Sequence, residues 1–324
     1  MTDSNNRFEA EALEAGGGAE ARCPLCGLIS ERRVARHDDF PNAVVSRCSE
    51  CEHWFAHPLP TPAELGVYYS TTYSVRRSWS ATELYAKFME GRAEAQARFM
   101  NLPRPDVHSA IDLGCGIGAL AACMRAQGIT TQGYDADPRV VELGRKRYKV
   151  DLVEGHVGID STLAPCDLLC LSHVVEHFGD PIVEFGALVR FVRPGGYIFV
   201  EVPNCIDWMF DRRVPMESHL GFFTARSVVR LAERLGLEVL RLRDCGPVIA
   251  SYYAAWSRDR ARGWAFLRRW LPKSVRRIVC EVLGVFRHPP YARNESEGFF
   301  DAYGNPGEPG RLWLRVLLKK PVNI

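Results

Sequence analysis

The sequence lacks any long run of apolar residues. No stretch approaches the roughly 18 consecutive apolar residues of a membrane-spanning helix, and the first 20 residues, MTDSNNRFEAEALEAGGGAE, are acidic and rich in Gly and Ala. They have neither the basic start nor the apolar centre of an export signal. We therefore expect residues 1–20 to form a disordered leader and the chain to be cytoplasmic.

Internal repeats and a strong charge bias are also missing. No self-similarity at a period of 20 to 50 residues is visible, which excludes solenoids and propellers. The net charge of +2 does not by itself indicate a polyanionic partner. With 47% hydrophobic and 25% charged residues, the composition is that of an ordinary globular protein. A length of 324 residues favours one main domain with appendages.

Four of the eleven cysteines occur as two CxxC pairs, Cys23 with Cys26 and Cys48 with Cys51. The spacing is close to that of a zinc ribbon, and four thiolates suit a tetrahedral zinc ion. Such a site leaves no open position for water, so we predict a structural zinc in a ribbon-like module over residues 21–60. A disulfide pair is the alternative, which a reducing cytosol disfavours. The breaker run HPLPTP ends the module.

Residues 61–107 have a helical pattern that begins with aromatic side chains. Tyr68, Tyr69, Tyr73 and Trp79 precede the charged stretch ELYAKFMEGRAEAQARFM. We interpret this segment as a helical cap on the substrate side of the domain, with Tyr73 at the pocket. A packed aromatic core is the other interpretation.

From Ser109 onward, short apolar runs alternate with amphipathic stretches. This alternation is typical of βα units and predicts an α/β domain with a parallel sheet over residues 108–324. The predicted strands are SAIDLG, TTQGYD, VDLVEG, CDLLCLSHVV, YIFVEVP, LEVLRLRDC and a last strand at about 311–320.

A glycine-rich turn follows the first of these strands. It reads Asp112-Leu-Gly114-Cys115-Gly116-Ile-Gly118 and leads into a helix. Glycines permit a tight turn and a close approach of the backbone to a ligand. Asp135 closes the second strand, where a carboxylate accepts hydrogen bonds from ribose hydroxyls. The pattern therefore predicts a nucleotide cofactor, and on its own it suits NAD as well.

The motifs DLGCGIG, GYDAD, SHVVEH and RPGGYIFVEVPN, in that order, closely resemble those of class I S-adenosylmethionine-dependent methyltransferases. The resemblance implies a Rossmann-like sheet with helices on both faces and S-adenosylmethionine as cofactor. It also implies which residues bind the cofactor. Those at the methionine end and along the adjoining strand edge are Asp112, Gly114, Cys115, Gly116, Gly118, Ser172 and His173. Asp135 would hold the ribose and Ala136 would lie beside the adenine.

The family's acidic residue opposite the adenine amine is missing. Where many members carry it, this chain has Glu154-Gly155-His156. We expect either His156 or the backbone near Val157 to make that contact.

The run His173-Val-Val-Glu176-His177 follows the fourth strand. It matches the H-x-x-E-H pattern of some zinc peptidases, but it straddles a strand end rather than a helix. At the carboxyl edge of the sheet, its histidines lie where open α/β sheets bind ligands. We predict His177 as the general base, with His219 as the alternative and a purely structural role for both as the third interpretation. Glu176 would orient a histidine or, as in methyltransferases resembling the ubiquinone-biosynthesis type, hold a divalent ion.

A helical insertion at about 250–310 separates the last two strands. Residues 258–287 hold nine Lys or Arg against two Asp or Glu, beside an amphipathic stripe of apolar residues. One interpretation of 256–287 is a lid with a solvated basic rim. The other is contact with the inner membrane surface, a glycolipid or a nucleotide sugar. Nucleic acid is disfavoured because no stacking motif accompanies the charge.

Together these features predict transfer of a methyl group to a small-molecule, sugar, glycan or lipid-linked acceptor. Similar N-terminal cysteine modules precede the core of enzymes resembling the deoxysugar C-methyltransferases, whose extra C-terminal domain is missing from this sequence. A catalytically silent scaffold with the same fold and a structural zinc is the competing hypothesis. The intact glycine-rich turn and Asp135 argue against it.

Overall fold

The structure is a computed structural model. It describes residues 20–30, 32–73, 83–103, 106–205, 218–248, 299–304 and 310–322. Nearly all of the predicted leader and the whole basic segment 256–287 lie outside these ranges, so the hypotheses about them stay predictions.

A seven-stranded sheet forms the centre of the molecule, with the strand order β12-β13-β10-β9-β6-β7-β8. Its strands are β6 (Ser109–Leu113), β7 (Thr130–Asp135), β8 (Asp151–Glu154), β9 (Cys166–Ser172), β10 (Val192–Pro203), β12 (Glu238–Val248) and β13 (Arg311–Lys319). Neighbouring strands from β8 to β10 pair in parallel, which confirms the predicted α/β fold. The sheet is not fully parallel, because the last strand, β13, runs antiparallel to both of its neighbours, β10 and β12.

Six α-helices belong to the described residues. They are α1 (Pro62–Val67), α2 (Glu83–Met100), α3 (Ala119–Ala126), α4 (Pro138–Tyr148), α5 (Pro181–Val189) and α6 (Ala225–Arg234). A π-helical turn, Tyr68–Tyr73, continues α1, and a 3-10 turn, Val175–His177, follows β9. The side chains of Asp137 and Asp180 cap α4 and α5, each of which also begins with proline. These local signals explain where the two helices begin.

Helices cover both faces of the sheet, as predicted. Leu168 and Cys170 of β9 point into the core formed with α2 and α3, whereas Leu169 and Leu171 point into the core formed with α5 and α6. All four side chains are at most 1% exposed. A strand buried on both faces explains why β9 is a continuous apolar run rather than an alternating one.

The cysteine-paired segment forms two small sheets. Its first hairpin pairs β1 (Ala21–Arg22) with β2 (Ile29–Ser30). A second sheet contains β3 (Arg32–Arg36), β4 (Val44–Arg47) and β5 (Trp54–His57). The short strand β11 (Gly221–Phe222) joins this sheet at the edge of β5, although it lies far along the chain. The cysteine module is thus hydrogen-bonded to a segment of the α/β domain.

Among the described helices, none combines the length and the apolar character needed to cross a membrane.

Candidate functional site

A cleft of about 980 Å³ opens at the carboxyl ends of β6, β7 and β9. Its volume is at the upper end of the roughly 300–1,000 Å³ typical of small-molecule sites. One half is lined by the glycine-rich turn and the end of β7, and the other by α1, the π-helical turn and the histidine cluster. The cleft therefore joins the two groups of residues that the sequence predicted separately.

The glycine-rich turn has a backbone that requires glycine. Gly114, Gly116 and Gly118 have φ values of 67°, 55° and 75°, in the left-handed region. A Cβ atom on Gly114 would lie 2.7 Å from Cγ2 of Val174, which is closer than real Cβ contacts. This turn and the exit of β9 are therefore in direct contact. Gly118 is the N-cap of α3 and packs on Leu152, while the other two glycines line the cleft.

Asp135 lies at the end of β7 and is 6% exposed. Its carboxylate accepts hydrogen bonds from the backbone N–H groups of Gly116, at 2.8 Å, and Asp137, at 2.9 Å. These bonds tie the end of β7 to the glycine-rich turn. Asp135 therefore organises the turn in addition to facing the cleft.

Asp112 is buried beneath the turn, and burial together with the nearby charge of Asp135 raises its pKa to about 7. Its Oδ2 atom has no hydrogen-bond partner among the described residues. Buried carboxyl oxygens normally have a partner. The unsatisfied atom, the cradle of glycines and the carboxylate of Asp135 together fit the amino-acid and ribose portions of S-adenosylmethionine.

The wall beyond β8 holds the residues predicted for the adenine. Ala136, His156 and Val157 all line the cleft on this side, and so does Cys115. Ser172 lines it at the end of β9, where its hydroxyl lies 2.9 Å from Nε2 of Gln96. The predicted cofactor residues, apart from Gly118, are therefore brought together around one cavity.

The histidine cluster begins immediately after β9. His173 has a left-handed φ of 56°, and its backbone N–H donates to the carbonyl of Glu201 at 2.8 Å. Its Nδ1 atom lies 3.0 Å from Oε1 of Glu176. The sharp change of direction at His173 ends the strand and turns Glu176 beneath the imidazole.

Glu176 is 1% exposed and lies behind the cleft wall. Burial opposes its ionisation, but His173, together with His177 and His219, holds its pKa down at about 2. A buried carboxylate surrounded by three imidazoles favours a positive charge on one of them. Glu176 is therefore suited to stabilise an imidazolium.

His177 and His219 both line the cleft, and their ring centroids are 5.1 Å apart. Nδ1 of His177 lies 3.3 Å from the backbone carbonyl and from the hydroxyl of Ser218. Burial, with the neighbouring His177, lowers the pKa of His219 to about 3. Each of Glu176, His177 and His219 also offers a potential metal-ligand atom, and these atoms lie within 4.8 Å of one another.

Some cleft residues were not found by sequence reasoning. The stripe of α2 that faces the cleft is spaced i, i+3, i+4, i+7, i+8, i+11 and consists of Tyr85, Phe88, Met89, Arg92, Ala93 and Gln96. The sequence did contain a signal for this face of the helix, because Arg92 and Gln96 are polar residues on an otherwise apolar helical stripe. Tyr69, whose hydroxyl hydrogen-bonds with Ser218, also lines the cleft, and its pKa is raised chiefly by burial. Tyr73 ends the π-helical turn, and its side chain lies outside the described part, so its role stays a prediction.

The four paired cysteines converge at one point. Sγ of Cys23 lies 3.5 Å from Sγ of Cys51, and Sγ of Cys26 lies 3.4 Å from Sγ of Cys48. All four sulfur atoms are within 4.8 Å of one another. A tetrahedral zinc ion with Zn–S distances of about 2.3 Å separates its sulfur ligands by about 3.8 Å. The arrangement fits a four-thiolate zinc ion.

We expect purified protein to contain about one zinc ion per chain, and Cys48→Ser to lower that content. Elemental analysis measures the metal, and calorimetric titration with S-adenosylmethionine checks that the α/β domain remains folded. Cys123→Ser is the matched control, because Cys123 lies on α3 and packs in a different core cluster from the paired cysteines. Metal-free protein with four titratable thiols in residues 21–60 would contradict the zinc hypothesis.

Comparison with known proteins agrees with this geometry. Residues 85–242 match a sequence family described as a methyltransferase domain. The chain is 27% identical over 183 residues to a trans-aconitate 2-methyltransferase of Rhizobium leguminosarum, covering 55% of this chain and 67% of that protein. It is 29% identical over 101 residues to a ubiquinone biosynthesis O-methyltransferase of Thiobacillus denitrificans, covering 29% of this chain and 44% of that one. The chain thus spans two thirds of the first relative and less than half of the second.

Among solved structures, a phosphoethanolamine N-methyltransferase 2 of Haemonchus contortus in complex with S-adenosyl-L-methionine is similar at a TM-score of 0.49. The sequence identity is 13%, and the match covers 83% of this chain and 62% of that one.

The fold and the cleft define an α/β protein of the Rossmann-like class, with a ligand site at the carboxyl edge of its sheet. Together with the family match, they identify a class I S-adenosylmethionine-dependent methyltransferase domain within this chain.

Proposed function

We propose that the whole chain is an active methyltransferase whose acceptor is deprotonated by His177. The observation that carries the proposal is the contact between the two halves of the cleft, where Gly114 packs against Val174. Val174 directly precedes the turn that holds Glu176 and His177. A base placed beside the cofactor's reactive end is the arrangement that methyl transfer to a hydroxyl or an enolisable carbon requires.

When bound, S-adenosylmethionine supplies the electrophilic methyl group. Asp135 would hold the ribose, and the backbone of the glycine-rich turn would receive the methionine portion. Arg92 lines the cleft near Ser172 and would attract the carboxylate of that portion. These residues would fix the cofactor so that its methyl group faces the histidines.

His177 would take the acceptor proton on Nε2. With Nδ1 protonated, the ring donates to the carbonyl of Ser218, which leaves Nε2 as the basic nitrogen. The carboxylate of Glu176 would then stabilise the imidazolium that forms. His219 is the weaker candidate base, because its lowered pKa keeps the ring neutral and poorly basic.

The acceptor half of the cleft favours a neutral hydroxyl over a carboxylate. Beside the histidines, its lining among the described residues includes Tyr68, Tyr69, Phe178 and Glu184. The two arginines of the cleft, Arg92 and Arg139, contact Ser172 and Asp137 instead. The two relatives named above act on trans-aconitate and in ubiquinone biosynthesis, so small molecules are the first acceptor class to test. Sugars and lipid-linked glycans follow.

Transfer of tritium from methyl-labelled S-adenosylmethionine into a fractionated extract of the organism that encodes the chain tests the proposal. A labelled small molecule that appears only with active protein supports it. Failure to bind the cofactor at submillimolar concentration in calorimetry would favour the scaffold hypothesis instead.

Asp135→Ala is expected to weaken S-adenosylmethionine binding by about 1.5–3 kcal/mol, the range for a lost hydrogen bond to a charged group. Calorimetric titration measures the affinity. Asp151→Ala is the control, because Asp151 lies at the exposed start of β8, where its carboxylate contacts Gln132. Equal affinity of Asp135→Ala and the unchanged protein would remove Asp135 from the cofactor site.

A further inference from the structure

The segment that carries His219 is held between two parts of the molecule. On one side, the backbone N–H of Leu220 donates to the carbonyl of Glu176 at 2.8 Å. On the other side, the N–H of Ala56 in β5 donates to the carbonyl of Leu220, also at 2.8 Å. The pairing of β11 with β5 continues this attachment. The cysteine module is therefore hydrogen-bonded to the segment that carries His219.

His37, on the loop after β3, contacts the main chain of His219 itself. It is 3% exposed, and Nδ1 accepts hydrogen bonds from the backbone N–H groups of Asp39, at 3.1 Å, and Phe40, at 3.2 Å. An Nδ1 atom that accepts two hydrogen bonds has no proton of its own, and burial lowers the pKa of His37 in the same direction. Because Nδ1 is an acceptor, the proton is on Nε2. Nε2 therefore donates to the backbone carbonyl of His219, at 2.8 Å.

We infer that His37 is a positioning residue of the methyltransferase site, which holds the main chain of His219 and thereby sets the separation of His219 from His177. The inference rests on the proposed function only in assigning His177 to the reaction, since the ring of His219 lies against that of His177. It gives the cysteine module a second role. Besides binding metal, the module supports the acceptor side of the cleft.

The expected size of the effect follows from geometry. The hydrogen bond from His37 and the one from Ala56 fix two successive carbonyls, those of His219 and Leu220. Loss of the first lets the His219 main chain move relative to His177. A misplacement of about 1 Å within a site, even from a substitution remote from the chemistry, can lower a rate by about 100-fold. We therefore expect a loss of about 10- to 100-fold in turnover, with little change in cofactor affinity.

Two variants of His37 separate positioning from general stability. His37→Asn keeps an acceptor near the Nδ1 position, so the turn through Asp39 and Phe40 is preserved, but it cannot reach the carbonyl of His219. His37→Gln extends an amide N–H toward the Nε2 position and restores the donor. His108→Asn, at an exposed histidine before β6, is the matched control.

The test compares these full-length variants in three measurements. They are tritium transfer from labelled S-adenosylmethionine into the extract, calorimetric cofactor affinity, and NMR signals of histidine rings labelled with carbon-13. We expect His37→Asn to lose turnover and to shift the ring signals of His177 and His219, with unchanged cofactor affinity. We expect His37→Gln to recover most of the turnover and the original signals.

Unchanged turnover and unchanged ring signals in His37→Asn would overturn the inference. Equal losses in His37→Asn and His37→Gln would also overturn it, because the donor would then be irrelevant. If the unaltered protein transfers no methyl group to any fraction, the proposed function fails. The ring signals still decide whether His37 positions His219, since that measurement needs only the folded protein.

Discussion

His177→Ala is expected to lower turnover by a factor of about 100 to 10,000, the usual cost of losing a general base. Cofactor affinity should remain nearly unchanged, because a base acts in the transition state rather than in cofactor binding. We expect His219→Ala to lose less, since the low pKa of His219 makes it the poorer base. The measurements are methyl-transfer rate at saturating cofactor and calorimetric affinity, with exposed His108→Ala as the control.

Other outcomes would assign the cluster differently. Near-normal turnover in both variants would mean that proximity to an already ionised acceptor suffices, and it would favour a carboxylate as the acceptor. Loss of cofactor affinity in both would make the histidines structural parts of the pocket floor. Turnover that depends on added Mg²⁺ or Mn²⁺ in the unaltered protein would favour the divalent-ion role of Glu176, His177 and His219.

The strands of the central sheet could be predicted closely because their signals are local. The runs SAIDLG and TTQGYD agree with β6 and β7 to within one residue, since each ends at a glycine or an acidic residue that precedes the turn into the next helix. The direction of β13 could not be predicted. A buried strand has the same apolar pattern whether it runs parallel or antiparallel, and direction depends on the path of the preceding chain.

The cofactor half of the site was also predictable from local sequence. Gly114 and Gly116 need left-handed backbone, and Asp135 lies at a fixed distance along one βα unit, so a short motif carries the information. The arrangement of the acceptor half was harder to predict from the sequence. His177 and His219 lie far apart in the sequence, and no periodic pattern indicates that their rings lie 5.1 Å apart.

The attachment of the cysteine module could not be read from the sequence. β11 has two residues, Gly221 and Phe222, and so short a strand has no recognisable alternation. The contact from His37 to the carbonyl of His219 involves a backbone atom, which every residue has. Tertiary contacts of this kind depend on how the module packs on the domain and have no signature in residue type.

A buried charge cluster links α2 with the two strands beside it. The side chain of Glu201 in β10 is fully buried, and so is that of Arg315 in β13. Oε1 of Glu201 accepts hydrogen bonds from Nε of Arg92 at 2.7 Å and from Nε2 of Gln96 at 3.1 Å, while Oε2 accepts from Nε of Arg315. The two guanidinium groups, together with His173, hold the pKa of Glu201 at about 2 against its burial. One carboxylate therefore neutralises the only fully buried guanidinium of the described residues and anchors the cleft-facing Arg92.

Glu201→Gln is expected to lower the free energy of unfolding by about 3–5 kcal/mol, because it leaves the buried guanidinium of Arg315 with only the more distant carboxylate of Asp301, at 3.9 Å. Urea unfolding followed by fluorescence measures the change. Glu142→Gln is the matched control. Its i,i+4 pair with Lys146 has side chains 67% and 71% exposed, and such pairs contribute only about 0.3–0.5 kcal/mol.

The double variant Glu201→Leu with Arg315→Met should recover part of the loss, since it removes both buried charges. A stability of Glu201→Gln equal to that of Glu142→Gln would show that the cluster contributes nothing beyond an exposed ion pair.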